Sequence, residues 1–284
     1  ISECLVGSEM CIRDRNILDI KGGLNDVVMN NSPIDIDKLI EGTNEILTAN
    51  RNSLQLFDML HSMRQFDDLT YVHSVNVALI ASILGQWLKF SEKDIRILTI
   101  SGLLHDIGKI MIPNEILTKS GKLTVAEYNI MKQHVNFGYE KVKNQNIDIR
   151  IKEACLLHHE KCDGTGYPFG LKSDHIPAVA KIIAIADVYD AMTSARVYRG
   201  ALCPFEVIDT MYKDAFTKFE PEYILPFLKN VASSYINNDV RLSDGRIGKV
   251  VLINENALSL PIVQCEDEFI DLSKTRGLTV SAIL

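Results

Sequence analysis

The chain has 284 residues, a net charge of −7 and 46% hydrophobic residues, enough to bury a sizeable core in one large domain or two small ones. That acidic balance argues against a general nucleic-acid or membrane-surface binder, which needs a basic face, but leaves room for a small anion in a local basic pocket. Six cysteines at 4, 11, 155, 162, 203 and 265 form no CxxC pair and no regular framework, so they read as reduced thiols of a cytoplasmic protein.

At the N-terminus, "CLVGSEMCIRDR" from Cys4 to Arg15 resembles translated sequencing-adapter sequence, and residues 1–15 are read as a non-native leader. Residues 16–68 read as an N-terminal helical segment. Within it Ser32 is the expected N-cap and Pro33 the first helical residue. Ile36, Leu39, Ile40, Ile46 and Leu47 form one helical stripe, and Leu56, Phe57, Leu60 and Met63 a second, which predicts a hairpin over 33–66. The most apolar run, Val75 to Leu88, is too short for a membrane span and is interrupted by Asn76, Ser82 and Gln86. It belongs to a helix from Tyr71 to Leu88 around His73. No signal peptide is evident.

The next helix is expected to start after Ser91 and run to near Ile112, because Pro113 disfavours a helical residue before it. Thr124 and Glu127 fit a capping box opening "TVAEYNIMKQHVNFGYEKV". "IKEACLLHH" reads as a helix that breaks at "DGTGYP", another helix begins at Pro177, and two more cover about 204–215 and 221–236. The helical body thus spans 69–231. Over 232–284 the pattern changes to alternating Val- and Ile-rich runs with Asp244-Gly245 at a turn, a hairpin signal. "EFIDL" and "LTVSAIL" are further candidate strands. The fold class is mainly α with a small antiparallel β tail.

Five of the seven histidines, His73, His105, His134, His158 and His159, sit in helices that otherwise look buried, as do Asp106 and Asp187. A buried carboxylate is costly unless paired or bound to a metal. One histidine on an apolar face is ordinarily a satisfied core residue. Five, with two aspartates, spread over five helices, point to a metal site, and imidazole with carboxylate suits iron, manganese, zinc or nickel. His105 and Lys109 are four apart and share a helical face, and Asp187 and Asp190, three apart, do likewise. There is no G-x-S-x-G, Walker loop or G-x-G-x-x-G.

"LLHDIGKI" resembles the HD phosphohydrolase signature, and "HHEKCDGTGYPFGL", from His158 to Leu171, is similar to the defining motif of the HD-GYP subfamily. "IMIPNEILTKSGKLTVAEY", "HVNFGYEKV" and "IAIADVYDAMTSARVYRGAL" also resemble that subfamily, so the likeness runs from about Tyr71 to Phe227. It implies a helical bundle around a metal cluster over 69–231. The implied activity is hydrolysis of cyclic di-GMP to pGpG or onward to GMP, by hydroxide attack between two cations. The carry-over assigns His73, His105, Asp106 and Asp187 to one metal and His134, His158 and His159 to a second, with Asp106 bridging. Lys109 matches the lysine beside the cluster, Tyr167 the GYP tyrosine against the substrate, and Arg196 and Arg199 phosphate-holding positions. Asp190 is a candidate for orienting a ligand. The loop also reads as a rigid turn, in which Gly164 and Gly166 permit φ > 0 and Pro168 fixes φ.

Leu69 stands where some members carry a glutamate associated with a third metal, so a two-metal site is expected. Arg199 stands where some have lysine. Iron or manganese is favoured, with zinc or nickel open. Lys109 and a water are both open as the leaving-group acid. Two other readings stay open: a catalytically silent nucleotide-binding or docking module, and a phosphodiesterase for another cyclic dinucleotide such as cyclic GMP-AMP. The resemblance also implies docking of cyclase or regulatory proteins through the GYP loop in some members. Packing against the domain, homodimer formation or a truncated sensor are the roles open to the N-terminal helices. No membrane or nucleic-acid partner is expected.

Overall fold

The computed structural model describes residues 20–30, 32–49, 57, 69–194 and 202–284. The leader over 1–15 and the second limb of the expected hairpin, Phe57 apart, lie outside the described residues.

Two helices lead in, α1 over 20–30 and α2 over Ile36–Ala49. The start of α2 differs from the expectation. Asp35, not Ser32, caps it, its Oδ1 accepting from the Lys38 amide at 3.1 Å. Ser32 is occupied elsewhere: its carbonyl accepts from Gln145 Nε2 at 3.1 Å, and Ile34 N donates to Gln145 Oε1 at 3.2 Å. The Ser32–Ile34 stretch is thus tied to Gln145 and the helix begins after it.

α3 (Leu69–Trp87) and α4 (Glu92–Leu104) pack side by side at the centre. Their approach is set by Gly102, where a Cβ would meet Ala78 Cα at 2.5 Å. Ser91 caps α4 as expected, accepting from the Asp94 amide. The helix then stops at Leu104 rather than near Ile112. Asp106 leaves the helical region, with φ −102° and ψ 10°, and a 3₁₀ turn follows over Ile107–Met111. The break has a physical reason. In a continuous helix neighbouring residues point about 100° apart, which would aim His105 and Asp106 at different places. Interrupting the helix between them lets both face one centre.

Four further segments surround this core: α5 (Asn114–Leu117), α6 (Val125–Met131), α7 (His134–Val142) and α8 (Ile149–Leu157). The Thr124–Glu127 capping box is present at the start of α6. The single helix expected from it divides at Lys132 and Gln133, so that α7 starts at His134. α9 (Ala178–Thr193), capped by Pro177, crosses α3, α4 and α8, and α10 (Pro204–Asp214) and α11 (Pro221–Ser234) close the body.

The tail is a five-stranded antiparallel sheet, β1 (Asp239–Leu242), β2 (Ile247–Leu252), β3 (Ile262–Cys265), β4 (Glu268–Asp271) and β5 (Val280–Ile283), in the order β4-β3-β2-β1-β5. Gly245, at φ +94°, turns β1 into β2. Alternation along the strands buries Val240, Leu242, Val250, Val263 and Ile270 on one face, and these join the same apolar core as α3, α9 and α11. Each such residue contributes roughly 1.5–3 kcal/mol of burial, so the sheet is a cap on the helical body. Among the described residues no helix is long and apolar enough to cross a membrane.

Candidate metal centre

Five elements deliver the chemistry-bearing side chains to one place. His73 comes from α3, His105 and Asp106 from the break after α4, His134 from the first residue of α7, His158 and His159 from the end of α8, and Asp187 from α9. Asp106 lies at the middle, 2% exposed. His105 Nε2 is 3.2 Å and His73 Nε2 3.6 Å from its Oδ2. His134 Nε2 is 3.3 Å and His158 Nε2 3.8 Å from its Oδ1. Asp187 Oδ1 is 3.0 Å from His73 Nε2, and its Oδ2 is 3.8 Å from His159 Nδ1.

The outward nitrogens of four of these rings are engaged. His105 Nδ1 donates to Gly102 O at 2.7 Å, His134 Nδ1 to Met131 O at 2.7 Å, and His158 Nδ1 to Ala154 O at 3.0 Å. His73 Nδ1 donates to Asp190 Oδ2 at 2.6 Å. Each partner only accepts, so Nδ1 carries the proton and Nε2 presents a lone pair to the centre. His73 Nε2, His105 Nε2 and Asp106 Oδ1 are buried without a hydrogen-bond partner. Buried polar atoms left this way are costly, and a cation satisfies them. Two donor sets share Asp106, one with His73 and His105 and one with His134, His158 and His159, the atoms of each within 4.8 Å of one another. The residues fit a metal pair.

Electrostatics agree with a ligand set. Burial pushes His158 well down, reinforced by His159, and pushes His159 to about 3, against the pull of Asp187. Burial also lowers His134. Burial alone would raise Asp106, but His105 and Lys109 hold its carboxyl well below the usual range. Burial likewise opposes the charge of Asp187, and the adjacent His73 outweighs it, so its carboxyl is held well below the usual range. Ionised carboxylates beside neutral imidazoles are the forms that bind metal. His73 departs from this: burial opposes its charge, yet Asp187 and Asp190 together raise it to about 9.

Lys109 reaches the cluster by another geometry than the four-residue helical spacing suggests. The 3₁₀ turn brings it over Asp106, three residues back, and its Nζ donates to Asp106 Oδ2. Gly108 allows this turn to seat on α7, since a Cβ there would fall 1.9 Å from His134 O.

The GYP loop folds back over α8. Tyr167 stacks on His159, centroids 4.6 Å apart and planes 29° apart, with His134 at 6.4 Å. The Tyr167-Pro168 peptide is cis. Gly164 uses the freedom of a glycine, at φ +81°, and Gly166 does not have a positive φ. It is needed for close approach: a Cβ would meet Glu160 Cα and His159 O at 2.5 Å. Sequence reasoning missed Glu160. Glu160 is 4% exposed, and its carboxylate accepts from the amides of Phe169 at 2.7 Å, Gly170 at 3.1 Å and Leu171 at 2.9 Å. It also missed Asn76, whose Nδ2 donates to Asp190 Oδ1 at 2.8 Å. The only sequence signal for either was an unexplained polar residue in a buried run. Arg196 and Arg199 lie outside the described residues, and no side-chain position is described for Leu69.

A helical bundle with an HD-type break and a shared carboxylate defines a class, and sequence comparison agrees. The HD domain family model matches residues 41–223. The chain belongs to the HD domain family and to its HD-GYP subfamily. It is 36% identical over 203 residues to a protein from Pseudomonas aeruginosa named as a cyclic di-GMP phosphodiesterase, covering 71% of this chain and 49% of that one. It is 31% identical over 194 residues to a protein from Vibrio cholerae named as a 3'3'-cGAMP-specific phosphodiesterase, covering 67% and 37%. A solved HDG"Y"P protein from Bdellovibrio bacteriovorus superposes with a TM-score of 0.52 at 19% identity, over 76% of this chain and 69% of that one, a likeness of fold. The chain spans about half the length of the first curated relatives it matches.

Proposed function

We propose that this chain is a metal-dependent phosphodiesterase that opens cyclic di-GMP to linear pGpG, and onward to GMP. The observation that carries the reading is the set of four imidazoles, each held through Nδ1, with Nε2 converging on Asp106 and Asp187. His73, His105, Asp106 and Asp187 would hold one ion, and His134, His158 and His159 a second, with Asp106 shared. Iron or manganese suits this nitrogen and oxygen set, which zinc and nickel also accept.

When bound, such ions supply positive charge against the phosphodiester and make water acidic enough to attack. The chain's own residues do the rest. Lys109 would place its ammonium where negative charge gathers on the phosphoryl oxygens. Asp190 keeps the proton on His73 Nδ1, so that Nε2 stays directed at the centre. Tyr167, fixed on His159, would wall the site and contact the substrate, and Arg196 and Arg199 would take its phosphates. Free thiols at Cys155, Cys162 and Cys265 support a reducing, cytoplasmic setting. Docking of cyclase or regulatory proteins at the GYP loop, and a homodimer, belong to the same proposal.

A second reading is hydrolysis of cyclic GMP-AMP, supported by relatives named for each substrate. The test is to incubate the metal-loaded chain with each dinucleotide and separate products by anion exchange. Cyclic di-GMP should be cleaved, and His105→Ala and Asp106→Ala should lose the activity while keeping the helical circular dichroism of the parent. Undiminished turnover in either variant defeats the proposal. Cleavage of cyclic GMP-AMP alone puts the second reading in its place, and binding without product points to a silent module.

A further inference from the structure

The two ends of the GYP loop are tied to each other. Ser173 N donates to Cys162 O at 3.2 Å, and Asp163 and Lys172 form an antiparallel bridge just inside that bond. Tyr167 stands midway between the two ends. A network of three side chains fastens this base to the helical body. Lys181 Nζ donates to Ser173 Oγ at 2.8 Å and to Glu220 Oε2 at 2.6 Å, and Ser173 Oγ donates to the same Glu220 oxygen at 2.5 Å. Cys162 N donates to Lys218 O at 2.9 Å, so both ends of the loop meet the segment that leads into α11.

Lys181 ends the first turn of α9, where the helix dipole disfavours a cation. Glu220 is the N-cap of α11, yet its side chain makes no bond to that helix. Their charges serve each other and Ser173 instead. The Lys181 side chain is 13% exposed and that of Glu220 24%, so the pair is better shielded from water than the surface salt bridges that contribute little. α9 also carries Asp187, six residues after Lys181.

We infer that Lys181 is a positioning residue: with Ser173 and Glu220 it locks the base of the GYP loop to the helix that carries Asp187, and so fixes where Tyr167 stands on His159. The inference rests on the proposed reading of Tyr167 as a substrate contact. Glu160 gathers the loop's own amides, whereas Lys181 holds the loop to another element. Tyr167 is reached through the backbone from both ends of the loop. Freeing the base therefore loosens the ring before substrate arrives, and binding must then supply the ordering.

The test compares metal-loaded wild type, Lys181→Met, Lys181→Arg and Ser173→Ala. Each is assayed for kcat and KM on cyclic di-GMP, for calorimetric Kd with a phosphorothioate analogue of it, for metal content and for amide exchange. Lys181→Met keeps an unbranched stem and removes the charge. KM and analogue Kd should rise about three- to ten-fold in Lys181→Met, the cost of ordering one or two side chains at the moment of binding, while kcat and metal content change little. Exchange over residues 162–173 should accelerate. Lys181→Arg, which keeps the cation, should recover most of the wild-type KM. Ser173→Ala leaves the ion pair in place and should give a smaller rise, which becomes the measure should Lys181→Met fail to fold. A lower Tm with KM unmoved, or a loss of kcat and metal in step with KM, overturns the inference. If the wild type binds the analogue and hydrolyses nothing, the hydrolase reading falls; a raised Kd in Lys181→Met then upholds the positioning role, and an equal Kd overturns it. A wild-type chain that binds no analogue defeats both.

Discussion

His73 Nδ1 donates to Asp190 Oδ2 at 2.6 Å, and this bond aims the other nitrogen of the ring at Asp187 and Asp106. Asp190 is itself held by Asn76, three residues after His73 on α3, through a 2.8 Å bond to its second oxygen. Asp190 thus acts through His73. Carboxylates that orient a ligating imidazole are worth about 10- to 100-fold in metal affinity. Asp190→Asn should therefore lower metal affinity by about that factor while leaving the helical content intact. Metal content by mass spectrometry and affinity by chelator competition read this out. An unchanged affinity would show that His73 is oriented by packing alone.

Glu160 supports the GYP loop in a comparable way. It directly follows His159, and its buried carboxylate gathers the three amides after Pro168. Removing it leaves three donors to find new partners, at about 1–3 kcal/mol for each that fails. In Glu160→Ala, amide exchange at Phe169, Gly170 and Leu171 should accelerate and KM for cyclic di-GMP should rise, with metal content falling less. A variant that loses its metal but keeps its KM would mean that Glu160 serves His159 rather than Tyr167.

The contrast between Glu160 and His158 shows what a sequence discloses. His158, His159 and Asp106 stand out because they are polar residues in apolar helices, an anomaly visible without coordinates. Glu160 and Asn76 are also polar and buried, but their partners are backbone amides and another acid far along the chain, and no spacing reveals those pairings. Local signals behaved the same way. The capping box of Thr124 and Glu127, the Ser91 cap and the Asp244-Gly245 turn each need only a few neighbouring residues and were legible. The stop of α4 at Leu104 was not, because Gly108 makes room for α7, an element 26 residues further on. The sheet order β4-β3-β2-β1-β5 is likewise a matter of tertiary packing, and alternation cannot supply it.

Removing the metal should destabilise the fold. The centre joins α3, α4, α7, α8 and α9, and without a cation His73 Nε2, His105 Nε2 and Asp106 Oδ1 remain buried and unsatisfied. A ligand present at one hundred times its Kd stabilises the folded state by about 2.7 kcal/mol. Chelator treatment should therefore lower Tm by several degrees, and adding back manganese or iron should restore it. A Tm indifferent to chelation and to added metal would contradict a cation between these helices.

The capping box predicts a pH dependence. Glu127 is held down to about 2, first by Lys119 and then by the amide and hydroxyl of Thr124. Its folded value lies below the ordinary 4.5, so its contribution to stability is present above that ordinary value and is lost as pH falls through about 2. Glu127→Gln cannot form the charged bonds at any pH. The wild type should be the more stable protein at pH 6, by a margin that shrinks below pH 4.5 and vanishes near pH 2. Thermal unfolding of the two proteins across that range measures it.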